Sequence, residues 1–124
     1  MFRFVLRAAL IIGAAIDAWV GILALLAQQL VAPLLDIPVK DPAMTTIYGG
    51  ALLVVAGIYL IVLRDPARFR PLLWLCALDQ TFGIALPLLE IGRGHLGGSW
   101  KVYAPMPAQL ALIVVYLVAA RARP

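Results

Sequence analysis

Four long apolar runs, separated by short polar segments, make up most of the chain. A helix rises about 1.5 Å per residue, so about 20 apolar residues cross a hydrocarbon core of about 30 Å. Runs of that length extend from about 4 to 30, 42 to 63, 71 to 91 and 102 to 120. The pattern predicts an all-α fold, a bundle of four transmembrane helices forming a single integral membrane domain over 1–124. The second run has a defined start, since Asp41 can cap free helix amides and Pro42 suits the first helical position. Pro71 opens the third run. Pro87 lies inside it, cannot donate to the Gly83 carbonyl, and predicts a kink. Pro105 and Pro107 make the start of the fourth run the least regular boundary.

The few small or polar positions inside these runs recur at helical spacing. Gly13, Asp17, Gly21, Ala24 and Gln28 share one face of the first run, and Asp79, Gly83 and Glu90 one face of the third. A shift of 62 residues lays "AIDAWVGI" (15–22) over "ALDQTFGI" (77–84), so that Ala, Asp, Gly and Ile coincide. Both segments run in the same direction through the membrane. Asp17 stands ten residues beyond Arg7 and Asp79 nine beyond Arg70, or about 15 and 13 Å along the axis. This predicts two repeated helical hairpins about a pseudo-two-fold axis along the membrane normal, with both carboxyls at one depth. They should face the bundle interior, because an Asp exposed to lipid at mid-bilayer costs about 2.5 to 3.5 kcal/mol. Gly13, Gly21, Gly49, Gly50, Gly57 and Gly83 are expected at close helix contacts.

Composition and charge narrow the class. Hydrophobic residues are 65% of the chain and mean hydropathy is +1.03, against about 45–50% apolar content in soluble domains. Arg3 and Arg7 before an apolar stretch imitate a signal peptide, but the run continues past Asp17 to about Ala27 and predicts an uncleaved first span. The net charge of +4 does not point to nucleic acid, because the basic residues flank apolar runs. Arg3, Arg7, Arg64, Arg68, Arg70, Arg121 and Arg123 lie on one side, and Lys40, Arg93 and Lys101 on the other. That bias predicts cytoplasmic N- and C-termini. Trp74, Trp100 and Tyr103 fall where aromatics anchor at interfaces, while Trp19 and Tyr59 are deeper, between helices or facing lipid. The single cysteine, Cys76, allows no intramolecular disulfide and reads as a small packing residue.

Asp17, Asp79 and Gln80 are the candidate proton or ligand site. Two carboxyls in a low dielectric do not both ionise without a cation, which suits a shared proton or a polar handle for a quinone-like headgroup. The competing reading is a hydrogen bond across helices that only fixes packing. Gln80 fits either role. Glu90 is expected at the interface beside Arg93, and His95 in "GRGHLGG" is expected to be solvated rather than a metal ligand. The sequence contains no phosphate loop, catalytic triad, metal-ligand cluster or haem-ligand pair, so no catalytic residue and no metal site is assigned.

The stretch "GILALLAQQLVAPLLDIPVKDPAM" leading into "YGGALLVVAGIYLIVLRDPARFRPLLWL" resembles the DoxX-like group of small four-helix bacterial membrane proteins. The resemblance implies an accessory subunit of a larger bacterial inner-membrane complex, linked to quinones or electron transfer and without catalytic activity of its own. It further implies other membrane subunits as partners and a quinone as one candidate ligand, with the cofactor itself left unassigned, and it carries over no catalytic residue; membrane lipid as a partner follows from the apolar runs themselves. Two alternatives stand beside it. One is a small quinone-binding membrane oxidoreductase. The other is a small proton-coupled transporter using Asp17 and Asp79: small multidrug transporters are similar in length and carry an acidic residue in the first span. Theirs is a Glu, however, with no second acid in the third span.

The charge bias makes a direct prediction. After Cys76 is replaced, single cysteines placed in the 64–70 loop should react with an impermeant thiol reagent only from the cytoplasmic side, and those near His95 only from outside. Labelling from the opposite sides would overturn the orientation.

Overall fold

The computed structural model describes residues 1–122, which form helices and turns with no strand. Arg123, one of the basic residues counted above, lies outside the described residues. The helices are α1 (Phe2–Leu26), α2 (Val31–Leu35), α3 (Pro42–Arg64), α4 (Leu73–Gly92), α5 (Trp100–Tyr103) and α6 (Met106–Arg121). Four helical segments are long and apolar enough to cross a membrane, the third beginning at Arg70 and the fourth combining α5 with α6.

The boundaries follow local chemistry. Asp41 Oδ1 accepts from the amides of Ala43 (3.1 Å) and Met44 (3.2 Å), capping α3 as expected, with Pro42 in its first turn. The first span is shorter than the apolar run that predicts it. The helix stops at Leu26, Ala27 leaves helical geometry, and a 3-10 turn over Gln28–Leu30 leads into α2. That short helix ends on Asp36 in the left-handed region, φ 58°, a conformation to which a short polar side chain is better suited than most. Gln28 Nε2 then donates to the Pro42 carbonyl (3.0 Å) and Thr46 Oγ1 (2.8 Å), fastening the end of α1 to the start of α3. The fourth span is broken at Ala104 and Pro105, between α5 and α6, where two prolines in three residues remove amide donors. By contrast α4 runs through Pro87 to Gly92 as one helix.

Within each hairpin the packing is most extensive, α1 on α3 and α4 on α6; lesser contacts of α1 with α6 and of α3 with α4 close the ring. Neighbours in sequence are thus neighbours in space, and α1 and α4 stand on one diagonal. The tightest cluster includes Leu6, Leu10, Tyr59, Val62, Leu73, Leu112 and Tyr116. These residues come from the early turns of α1 and α4 and the late turns of α3 and α6, so the core occupies the half of the bundle that holds both termini. Large apolar side chains such as Phe4, Trp19, Val54 and Leu110 point outward, as lipid-facing residues do.

Only some of the expected glycine contacts form. Gly21 and Gly49 face each other where α1 crosses α3: a Cβ on Gly21 would sit 2.9 Å from the Gly49 carbonyl oxygen, and one on Gly49 would sit 2.8 Å from that of Gly21. Gly13 and Gly83 also lie against neighbours. Gly50 and Gly57 do not, and here the expectation is corrected: a Cβ at either meets nothing within 4 Å, because their direction on α3 is away from the other three spans.

Gly21→Ala and Gly49→Ala should each destabilise the protein by about 1–3 kcal/mol, since backbone rather than a flexible side chain must yield. Gly50→Ala and Gly57→Ala should be neutral or stabilising by up to about 1 kcal/mol, from helix propensity alone. Unfolding in a mild detergent reads both, and equal effects in the two pairs would contradict the packing.

Candidate functional site

The diagonal arrangement of α1 and α4 brings Asp17 and Asp79 to the bundle interior. Their carboxyl groups lie within hydrogen-bonding reach of each other. Asp17 is 5% exposed and Asp79 half-buried. Asp17 Oδ2 is buried and has no donor partner among the described residues. Ionised carboxylates only accept hydrogen bonds, so two that approach each other in an apolar bundle do not both ionise without a cation.

Asp79 is held from a third helix. Tyr59, on α3, is fully buried, and its hydroxyl lies 2.8 Å from Asp79 Oδ2 and 3.1 Å from the Cys76 carbonyl oxygen. A phenol has one proton, and the shorter contact to the carboxyl is the stronger acceptor. Gln80 Nε2 donates to the Tyr59 oxygen at 2.8 Å and stands 3.4 Å from Asp79 Oδ2. Thus Tyr59, Asp79 and Gln80 form one chain of contacts that fixes the Asp79 carboxyl opposite Asp17. Gln80 Oε1 is left buried without a partner.

Below this cluster, toward the termini, two aromatic rings fill the bundle. Tyr59 and Tyr116 stand with ring centroids 5.8 Å apart at 56°, and the Tyr116 hydroxyl donates to the Ala9 carbonyl. Both rings close over Gly13, where a Cβ would come to 2.5 Å from Tyr116 Oη and 2.5 Å from Tyr59 Cε1. Gly13 is therefore small because two tyrosines occupy its side-chain space. Above the carboxyls, Gln109 of α6 lies against Gly83 of α4, with its Oε1 buried and unpartnered.

Asp17, Asp79 and Gln80 thus come together. Tyr59, expected between helices or toward lipid, proves to be the residue that links Asp79 to Gln80. Tyr116 and Gln109 were not singled out by sequence reasoning at all. The available signal was chemical: a tyrosine or glutamine deep in an apolar run requires a hydrogen-bond partner. Cys76 packs in the core beside them. Glu90 lies apart, at the other end of the bundle, where it pairs with Arg93 Nη1 at 3.1 Å and with His95 Nδ1 at 2.7 Å. His95 is exposed to solvent in the loop after α4, and its ring also meets the Glu90 carboxylate.

No protein-family model, no curated protein and no solved structure matches the chain. The resemblance to the DoxX-like group therefore rests on the segments quoted above.

Proposed function

We propose that this chain is a small integral membrane protein whose central carboxyl pair, Asp17 and Asp79, holds and exchanges a proton and serves as the coupling site of a proton-linked process. The observation that carries this reading is the approach of two carboxyls from diagonally opposed helices in the bundle interior, with one buried Asp17 oxygen that has no donor among the described residues. A proton shared across the pair supplies the missing donor and removes the repulsion. Tyr59 and Gln80 orient Asp79, while the Tyr59–Tyr116 layer and the packed core separate the pair from the terminal end. Exchange is then with the opposite half of the bundle. With termini in the cytoplasm of a bacterial inner membrane, as the charge bias suggests, that half is the outer one.

Infrared difference spectra of the reconstituted protein, recorded between mildly acidic and alkaline pH, test this directly. A protonated-carboxyl band should titrate, vanish in Asp17→Asn or Asp79→Asn with the helical content intact, and shift without vanishing in Tyr59→Phe. Absence of any titrating carboxyl band, or its survival in both Asn variants, would leave the pair with a packing role only.

A second reading, an accessory subunit of a larger membrane complex, is favoured by a different observation. Gly50 and Gly57 lie seven residues apart on α3 with open space where their side chains would be, and small residues let another membrane helix approach closely. The short loops and the DoxX-like resemblance support the same reading. Purification from native membranes in mild detergent should then retain a larger partner that Gly50→Leu and Gly57→Leu release, whereas a solitary chain would count against it. No specific observation favours the quinone-binding oxidoreductase: the two described cavities open at the ends of the bundle and include neither carboxyl.

A further inference from the structure

We propose that the cavity at the terminal end of the bundle binds the headgroup of an anionic phospholipid. It encloses about 680 Å³ between the first turns of α1, the loop joining α3 to α4, and the end of α6. Arg3 and Arg7, one helical turn apart, line it from α1, and Arg70 lines it from the turn before α4. The apolar part of the wall includes Phe2, Leu6 and Leu73.

The charges in this cavity are out of balance. Asp65 is the one acid in its lining, against three guanidinium groups. One Asp65 oxygen accepts from the Arg68 amide at 3.1 Å, capping the loop. Among the described residues, none of Arg3, Arg7 and Arg70 forms an ion pair with Asp65 or any other acid. Arg70 donates from Nη1 to the Ala122 carbonyl, which holds its guanidinium at the cavity and ties the end of α6 to the loop. The cavity thus presents an excess of positive charge to an incoming anion.

The position selects the kind of anion. The cavity lies where four apolar helices end, at the level of lipid headgroups, and basic pockets between membrane helices are suited to anionic headgroups. Guanidinium groups match phosphate oxygens in a two-pronged geometry. The apolar wall leads onto the outward-facing Phe4 and Val5, so acyl chains can remain in the bilayer while the phosphate sits among the arginines. A free inorganic anion would use the charges and leave the apolar wall unused. The inference is independent of the proton-site reading, because none of Asp17, Tyr59, Asp79, Gln80 and Tyr116 lines the cavity.

The test is thermal unfolding of the full chain in a nonionic detergent, titrated in parallel with phosphatidylglycerol, phosphatidylcholine and inorganic phosphate. Phosphatidylglycerol alone should raise the midpoint. Arg7→Gln should weaken its apparent affinity about fivefold and the Arg3→Gln/Arg7→Gln pair about 25-fold, from the usual contribution of a basic residue at an anionic membrane surface. Arg7→Lys, which keeps the charge but not the two-pronged geometry, should weaken binding less than Arg7→Gln, and Arg93→Gln at the other end should change nothing. Equal stabilisation by phosphatidylcholine, equal stabilisation by inorganic phosphate, or an unchanged phosphatidylglycerol affinity in the double variant would each overturn the proposal.

Discussion

The contact between Asp17 and Asp79 constrains the rest of the bundle. Inside four apolar helices there is no water to solvate a carboxyl, so each must be met by a proton, a donor or a cation. Tyr59 and Gln80 meet one side of Asp79. The other side of the pair has only the two carboxyls themselves. This requires α1 and α4 to present their polar faces toward each other across the diagonal, with α3 and α6 closing the ring around them.

The same requirement divides the bundle into two unlike halves. Toward the termini, Tyr59 and Tyr116 reach across to the other spans, hydrogen-bond through their hydroxyls, and pack with leucines and valines into a tight cluster. Gly13 is the spatial complement of that layer. Away from the termini the interior combines buried Leu23, Val31 and Leu52 with the Gly21–Gly49 crossing and Gln109 against Gly83, while Gln28 bonds Thr46 at the exposed end of α1. The carboxyl pair lies at the boundary of the Tyr59–Tyr116 layer, and that layer between the pair and the terminal end is the geometric basis for the coupling role proposed here.

At the surface the chain separates its charges by end. Arg93, Glu90 and His95 compensate one another at one end, whereas Arg3, Arg7 and Arg70 surround a cavity with a single acid. Charge bias is commonly taken only as a topological signal. In this protein three of the residues that create the bias also share one concave site, and this is what turns a general preference for a membrane side into a proposal for a particular lipid class.

Much of the fold could be read from the chain because a bilayer permits few solutions: a long apolar run must be a helix, and four of them with short connections must pack up and down. Asp41 and Pro42 marked the start of α3, and the match of 15–22 to 77–84 placed Asp17 and Asp79 at one depth, because helical rise is nearly constant. Hydropathy could not show that α1 stops at Leu26, since Ala27 and Leu30 are as apolar as the helix before them, nor that the fourth span breaks at Ala104 and Pro105. It also could not separate Gly49, pressed against the Gly21 carbonyl, from Gly50 beside it, which faces open space. Rotation about the helix axis decides that difference, and neighbouring helices set the rotation. Tyr59, Tyr116 and Gln109 gained their roles in the same way: the sequence determined that their polar tips needed partners, and only the tertiary structure, by bringing residues far apart in the chain within a few ångströms, decided which partners those are.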